Sequence, residues 1–328
     1  MFNNETHNQH FIAQVEQRLN SIDLTDNKKI YMFESTNREK HEYRILHKEG
    51  VDIKSNLSMT DLYSLEVFDN KTRDNFERYF GLLENKIRSL TETVLSNSRL
   101  EKDILLTLFN AKLMNVIRNP YCIISTLNTY SLFCDYIPTD EYLAQHFNKI
   151  NTMSINECLL SELCVTEDQY RQWLKIIFYM VVPLRLPDGN SLNFMMEVIK
   201  KIFNPENMCI SINLATHDNE ICLLSDRAHV DLSKALLDNN FGYEFNLTRN
   251  AFISFTFVEN NLDNLARFIN IPENLIAIMK ERGISKLEVP SLEINKCVND
   301  DTFFSAYNSR VIYQCHTHFY AANTSFKK

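Results

Sequence analysis

The stretch Arg99–Pro120, RLEKDILLTLFNAKLMNVIRNP, constrains this chain more than any other. At ~100° per residue, Leu105, Leu106, Phe109, Leu113, Met114, Val116 and Ile117 fill one broad arc of a helix, and Asn110 falls inside it. Thr107, Lys112, Asn115, Arg118 and Asn119 gather on the other side, and the Arg-Asn-Pro triplet stops the helix. A helix that is apolar over half its circumference is a core helix, so other elements must dock around it. A polar side chain inside the arc then needs hydrogen-bond partners of its own.

The first docking partner is residues 71–97, where Phe76, Phe80, Leu83, Ile87, Leu90 and Val94 alternate steps of four and three. A short SNSR link makes the two segments a helical hairpin. From Tyr121 to Phe203 the pattern is helical, roughly 121–133, 139–149, 154–163, 166–181 and 190–203, with TEDQ at 166–169 as a capping box. Before the hairpin, KKIYMFES (28–35) and HEYRILHKEGV (41–51) read as paired strands, and DLYSLEVF (61–68) as a third. After Pro205, MCISINLA, EICLLSD, FGYEFNLT and AFISFTFV are strand-like and joined by short turns. NLDNLARFI and PENLIAIMKERG read as helices, and 292–320 fits helix or strand equally. The expected class is α+β: an N-terminal β-hairpin, a large central helical layer and a C-terminal antiparallel sheet with flanking helices. One domain over 1–328 is expected, its internal division, if any, near 205, with 71–204 helical and the sheets formed by 205–328 and 1–70.

Composition excludes several functions. Five glycines, and neither GxGxxG nor GxxxxGK[ST], argue against a nucleotide loop. GxSxG and HExxH are absent, and no carboxylate pair stands out by spacing. The net charge of −8 opposes broad nucleic-acid binding, although residues 71–118 carry nine Lys/Arg against six Asp/Glu, leaving room for a short basic groove. No apolar run approaches ~18 residues and the N-terminus lacks a basic-then-apolar leader, so the expectation is a cytoplasmic protein without membrane contact. Eight scattered cysteines without CxxC are expected to be reduced and mostly buried.

Few polar positions invite chemistry. His7 and His10, three apart, would share a helical face and offer a metal or acid–base pair, against the commoner role of surface histidines. Arg118 could clamp a phosphate or carboxylate, or tie its helix end down as an ion pair. Asp226, after the strand-like EICLLS, suits a cleft or a turn cap. Asn115 adds hydrogen-bonding capacity beside Arg118.

Several of these segments, taken together, resemble the uncharacterised bacterial family labelled domain of unknown function 4238. That family opens with His–aromatic–hydrophobic–Pro–Gln and a following strand; here the text is His10-Phe11-Ile12-Ala13-Gln14, then KKIYMFES. FERYFGLLENKI, the Arg-x-Pro ending of NVIRNP (115–120), LLSDRAHV and the hairpin FNLTRNAFISFTF follow in the family's order, to about Val258. Ala13 stands where the family has Pro, and Arg227-Ala228 replaces its Asn-Pro after the Asp. The resemblance implies weight on His10, Gln14, Arg118 and Asp226 but supplies no reaction.

Two functions are therefore expected. The first is a toxin- or phage-defence-type effector in which catalytic His10, Arg118 and Asp226 meet in a cleft, with Gln14 and Asn115 binding substrate and a divalent metal assisting phosphodiester hydrolysis. The second is a non-catalytic binding or regulatory protein acting through a protein partner, the same residues forming a buried polar network. The effector label comes from an Asn-, Ile- and Lys-rich, Gly-poor composition, which is association rather than mechanism.

Overall fold

A computed structural model describes residues 2–67, 73–97, 99–185, 189–204, 206, 208–233, 236, 240–263, 271–285 and 292–328. The chain is α+β, with many helices and several sheets. It divides into two compact units rather than the single domain expected. The first comprises 1–30, 50–198 and 226–228; the second comprises 31–49, 199–225 and 229–328. The division falls near 198 rather than 205, and 1–30 and 50–70 belong with the helices, not with the C-terminal strands.

In the first unit, strands β1 (Asn3–Asn4) and β2 (Asn8–His10) precede helix α1 (Gln14–Leu19). Helix α2 (Glu77–Ser96) and helix α3 (Lys102–Ile117) pack as the expected helical hairpin, and Ala13, Ile87 and Ala111 meet in a small core cluster. The segment before α2 is strand, not helix: Arg73–Asn75 pairs with both Asn3–Asn4 and Ser64–Val67. Five further helices follow: α4 (Ile123–Tyr130), α5 (Glu141–Thr152), α6 (Glu157–Leu163), α7 (Glu167–Val181) and α8 (Phe194–Ile202), the last crossing the unit boundary. The Thr166/Gln169 capping box forms at the start of α7.

Helix α3 differs from the amphipathic reading in one important way. From Leu108 onward it is buried on every side, including Lys112 and Asn115. The side on which the polar residues gather is therefore interior as well. The helix end is interior too, and its last carbonyls, which no helical N–H can reach, accept from side chains instead. Trp173 Nε1 donates to Ile117 O at 2.7 Å and Tyr63 Oη donates to Arg118 O at 2.6 Å.

In the second unit one sheet runs Val230–Asp231, Phe241–Thr248, Ala251–Glu259, Met208–Thr216, Leu292–Val298 in spatial order. The hairpin of 241–248 with 251–259 forms as expected. The hairpin expected between 208–215 and 220–226 does not: Met208–Thr216 pairs antiparallel with Ala251–Glu259 and parallel with Leu292–Val298. The sheet is therefore mixed rather than purely antiparallel. Leu224–Ser225 instead joins a second sheet with His318–Ala321, Lys29–Asn37 and Glu42–Ile45. The ambiguous 292–320 segment is strand, helix (Asp301–Gln314) and strand in turn, and that helix packs Phe304, Tyr307 and Val311 into the unit's core with Phe252 and Phe319. The expected helix NLDNLARFI lies mostly outside the described residues, whereas Glu273–Glu281 is helical. None of the eight cysteines forms a disulfide, and among the described residues no helix is long and apolar enough to cross a membrane.

Phe109 is fully buried in the middle of α3, whereas Leu82 on α2 is 53% exposed. Phe109→Ala is expected to cost about 3–5 kcal/mol in urea denaturation, and Leu82→Ala less than about 0.5 kcal/mol. Equal losses from the two would refute this assignment of the core.

Candidate functional site

The site grows from the buried polar side of α3. Lys112, 1% exposed, pairs with Glu16 of α1 at 3.0 Å. Asn115 donates to Glu16 Oε1 at 2.5 Å and accepts from Arg118 Nη2 at 2.7 Å. Arg118, also 1% exposed, reaches Glu84 of α2 at 2.6 Å and lies 4.6 Å over the Phe80 ring. Lys112, Glu16, Asn115, Arg118 and Glu84 are thus one continuous chain of charge and hydrogen bonds joining α1, α2 and α3. Burial opposes the Arg118 charge, but the carboxylates of Glu84 and Glu77 outweigh it and raise its pKa. Its Nε and Nη1 have no hydrogen-bond partner.

Glu84 is where this network meets open space. A cavity of about 490 Å³ is lined by residues from the N-terminal strands, α1 and α2: Thr6, Asn8, His10, Gln14, Val15, Glu77, Glu84, Asn85 and Arg88. Its volume is within the range of small-molecule sites. Glu77 stands out in it. Burial, reinforced by Glu84 and opposed by Arg118, pushes its carboxyl up to about 7, and its Oε1 is sealed from solvent without a hydrogen-bond partner.

His10 is also in the cavity wall, held by a fixed relay. Arg18 Nη2 donates to Gln14 Oε1 at 2.8 Å, which leaves the Gln14 amide nitrogen facing His10 Nε2 at 2.8 Å. His10 Nε2 is therefore the acceptor, and the ring proton sits on Nδ1. Burial holds the imidazole pKa below its ordinary value; Arg118 adds to this, and the nearby Asn56 carbonyl opposes it. His10 is a neutral imidazole near pH 7 whose basic nitrogen is already occupied.

The other predicted residues separate. Gln14 lines the cavity with His10, while Asn115 and Arg118 lie behind its wall, Arg118 reaching it through Glu84. Asp226 is fully buried and does not line the cavity; its backbone carbonyl accepts from Asn119 Nδ2 at 2.8 Å. The expected solvent-open triad of His10, Arg118 and Asp226 is thus not what the fold builds. Ala228, two residues on, has φ +67°, a value closed to proline, so the Asn-Pro of the resembling family does not fit this turn. Ala13, at φ −50°, would accept one.

His7 and His10 do not share a helical face. Both lie in extended chain before α1, where residues three apart point to opposite sides, and His7 Nε2 contacts Arg73 Nη1 at 2.9 Å. Among the described residues no group of three or more His, Cys, Asp or Glu is arranged to hold a metal ion.

The sequence reading missed Glu77 and Glu84. The signal was present: Phe76-Glu77 and Leu83-Glu84 repeat an apolar-acid pair seven residues apart beside the packing seam, which places both carboxylates on one face of α2. No family model, curated protein or solved structure matches this chain, so the site stands on its own geometry.

Removing one member of the buried pair leaves its partner charged and alone. Lys112→Met is expected to cost about 3–5 kcal/mol, and Lys112→Met with Glu16→Gln to recover at least about half of it. Additive losses in denaturant melts would show that the two charges are not coupled.

Proposed function

We propose that the first unit carries a hydrolase-type acid–base site in which Glu77 handles the proton. Glu77 carries the reading: a carboxyl with pKa about 7 on a residue of the cavity wall is matched to both taking and returning a proton at neutral pH. In this reading the Glu77 carboxylate removes a proton from an attacking water at the cavity wall. Glu84 is a fixed carboxylate held by Arg118, and Gln14, its amide held by His10 and Arg18, orients polar substrate groups. Arg118 is a positioning residue, since it reaches the cavity through Glu84.

The effector reading, a cytoplasmic toxin or phage-defence hydrolase, fits here as a setting. Its nuclease form is the less favoured version, because two carboxylates line the cavity against Arg88 alone among the lining cations, and a phosphodiester would need that charge offset. The alternative, a binding or regulatory protein, draws support from the Lys112–Glu84 chain, which is sealed in the interior as a structural network would be. Membership of the uncharacterised family named above remains a proposal resting on the quoted segments.

Purified protein assayed against ester, amide, glycoside and phosphodiester substrates, the last including DNA and RNA with and without Mg²⁺ or Mn²⁺, tests the reading. Activity is expected to rise as pH passes about 7, and Glu77→Gln is expected to lower kcat by about a hundredfold or more. No turnover, or equal turnover by the variant, leaves the binding protein.

Stability supplies a second check that needs no substrate. Below its ordinary pKa near 4.5 Glu77 is protonated in both folded and unfolded chains, so its raised pKa costs nothing. Between 4.5 and about 7 the unfolded chain ionises first and stability falls as pH rises; above about 7 the loss is complete, on the order of 3 kcal/mol. The charged groups facing Glu77 are Glu84 and Arg118, with the Tyr63 phenol beside them. Glu77→Gln is expected to raise the melting temperature at pH 8 and leave it unchanged at pH 4. An equal shift at both values would remove the titrating carboxyl from the account.

A further inference from the structure

Residues 322–328 leave the strand His318–Ala321 and join no other helix or strand, so side-chain contacts hold this segment to the second unit. Phe326 is half-buried among three rings: Tyr43 stacks on it at 5.1 Å, and Phe33 and Phe319 meet it edge-on at 5.4 and 5.9 Å. Lys327 Nζ lies between two carboxylates, 2.9 Å from Asp301 and 3.0 Å from Glu220. The Lys327 carbonyl accepts from Asn308 Nδ2 at 2.7 Å. Lys328 Nζ donates to His41 O at 2.7 Å and stands 4.7 Å over the Tyr43 ring. Three consecutive residues are thus each met by groups suited to their type: an aromatic cage, a carboxylate pair, and a carbonyl beside a ring face.

The receiving surface is fixed by contacts that do not involve this segment. Phe33 and Phe319 stack at 5.2 Å on paired strands, and Tyr43 meets both rings edge-on. His217 Nδ1 accepts from the backbone N–H groups of Asn219 and Glu220, which leaves Nε2 to donate to Asp301 at 2.9 Å. Asn308, fully buried in the helix Asp301–Gln314, also donates to Ile221 O at 2.8 Å and accepts from Leu223 N at 3.1 Å. A groove built this way needs little reordering when its occupant leaves. The occupant is tethered by Asn323, Thr324 and Ser325, which are exposed, and the N–H groups of Thr324 and Ser325 turn to the Asn323 side chain. Its departure would leave one Asn308 N–H without an acceptor, and Glu220 and Asp301 without the cation between them. The emptied groove therefore calls for the same groups again.

We propose that this groove is a recognition site for a linear aromatic–Lys–Lys segment of a partner protein, and that residues 326–328 fill it in cis as a displaceable competitor. The proposal concerns the second unit and does not rest on the Glu77 reading. The aromatic residue is the apolar anchor, the first lysine complements Glu220 and Asp301, and its carbonyl, held by Asn308, sets the direction of the chain. Tethering gives residues 326–328 an effective concentration on the order of millimolar, so a partner segment enters by offering more contact or after the strap is released. A second copy of this chain is the weaker occupant, because its own segment already fills its own groove and exchange adds no contact.

Fluorescence anisotropy with a labelled, amidated NTSFKK peptide tests the proposal on the full chain. Lys327→Glu repels the strap from Glu220 and Asp301, and Phe326→Ala removes its anchor. Each variant is expected to bind the peptide at least about tenfold tighter than the unaltered chain. The Lys327 side chain is 49% exposed, so Lys327→Glu leaves the core intact, and melting curves establish that both variants fold. Replacing the peptide's Phe by Ala, or its first Lys by Glu, should weaken binding to the Lys327→Glu chain by about tenfold or more. Adding Asp301→Asn to that chain, or raising the salt, should weaken the unaltered peptide. Equal binding by released and unaltered chains, indifference to the peptide's Phe or first Lys, or no binding by either released chain each overturns the proposal. So does a dimer of the unaltered chain that Phe326→Ala dissolves, which would assign the groove to a second copy.

Discussion

The first unit depends on the burial of the end of α3. A helix that ends in the interior leaves its last carbonyls without water, and here Trp173 and Tyr63 supply the donors. The same burial removes Lys112 and Arg118 from solvent, and a buried charge is tolerated only when it is paired. Glu16 on α1 and Glu84 on α2 meet that demand from two different helices, and Asn115 bridges them. Packing of Ala13, Ile87 and Ala111 brings the three helices together without fixing their register, because small apolar contacts tolerate sliding. The charge chain is directional, and it holds the register. The cavity beside it follows from that register, since Glu84 belongs to both.

How far this could be read in the sequence depends on what each signal assumes. The α2–α3 hairpin, the helices from 123 to 181 and the strand pair 241–248 with 251–259 rest on short-range periodicity and capping, and they formed as expected. The polar face of α3 did not, because periodicity equates polar with solvent-facing. Lys112 and Asn115 sit on the correct side of the helix, but that side is covered by α1, and no feature local to 99–120 reveals a partner ~96 residues earlier. The same limit explains 208–216. Its hairpin partner was sought in the next segment, whereas its neighbours come from 251–259 and, in parallel, from 292–298. A parallel neighbour leaves no turn to recognise.

The site was half legible for a related reason. His10, Gln14 and Arg118 drew attention as individually reactive or charged side chains, and the fold does gather them around one cavity and its wall. Asp226 drew attention by standing after a strand-like run, and its backbone, not a cavity, uses it: the turn from 226 to 228 is held by Asn119 and passes through the left-handed conformation at Ala228. Glu77 and Glu84 were overlooked because glutamates on an amphipathic helix are ordinarily solvated. What makes Glu77 unusual is its surroundings, and those come from the N-terminal strands and from Arg118, both distant in sequence.

Shifting the proton-handling role from His10 to Glu77 also follows from hydrogen-bond accounting rather than from residue type. A histidine attracts notice because its ordinary pKa is near neutrality, but the Arg18–Gln14–His10 relay fills its basic nitrogen and burial holds the ring neutral. A glutamate seldom attracts notice because its ordinary pKa is near 4.5, yet burial and a neighbouring carboxylate bring Glu77 to about 7 with one oxygen unclaimed. The two residues have in effect exchanged the properties that sequence reading assigns them. Burial is the larger influence on both, and Arg118 lowers both pKa values, working with burial at His10 and against it at Glu77. A cation fixed behind the wall by two helices therefore biases, beside burial, the proton chemistry of a cavity it does not line.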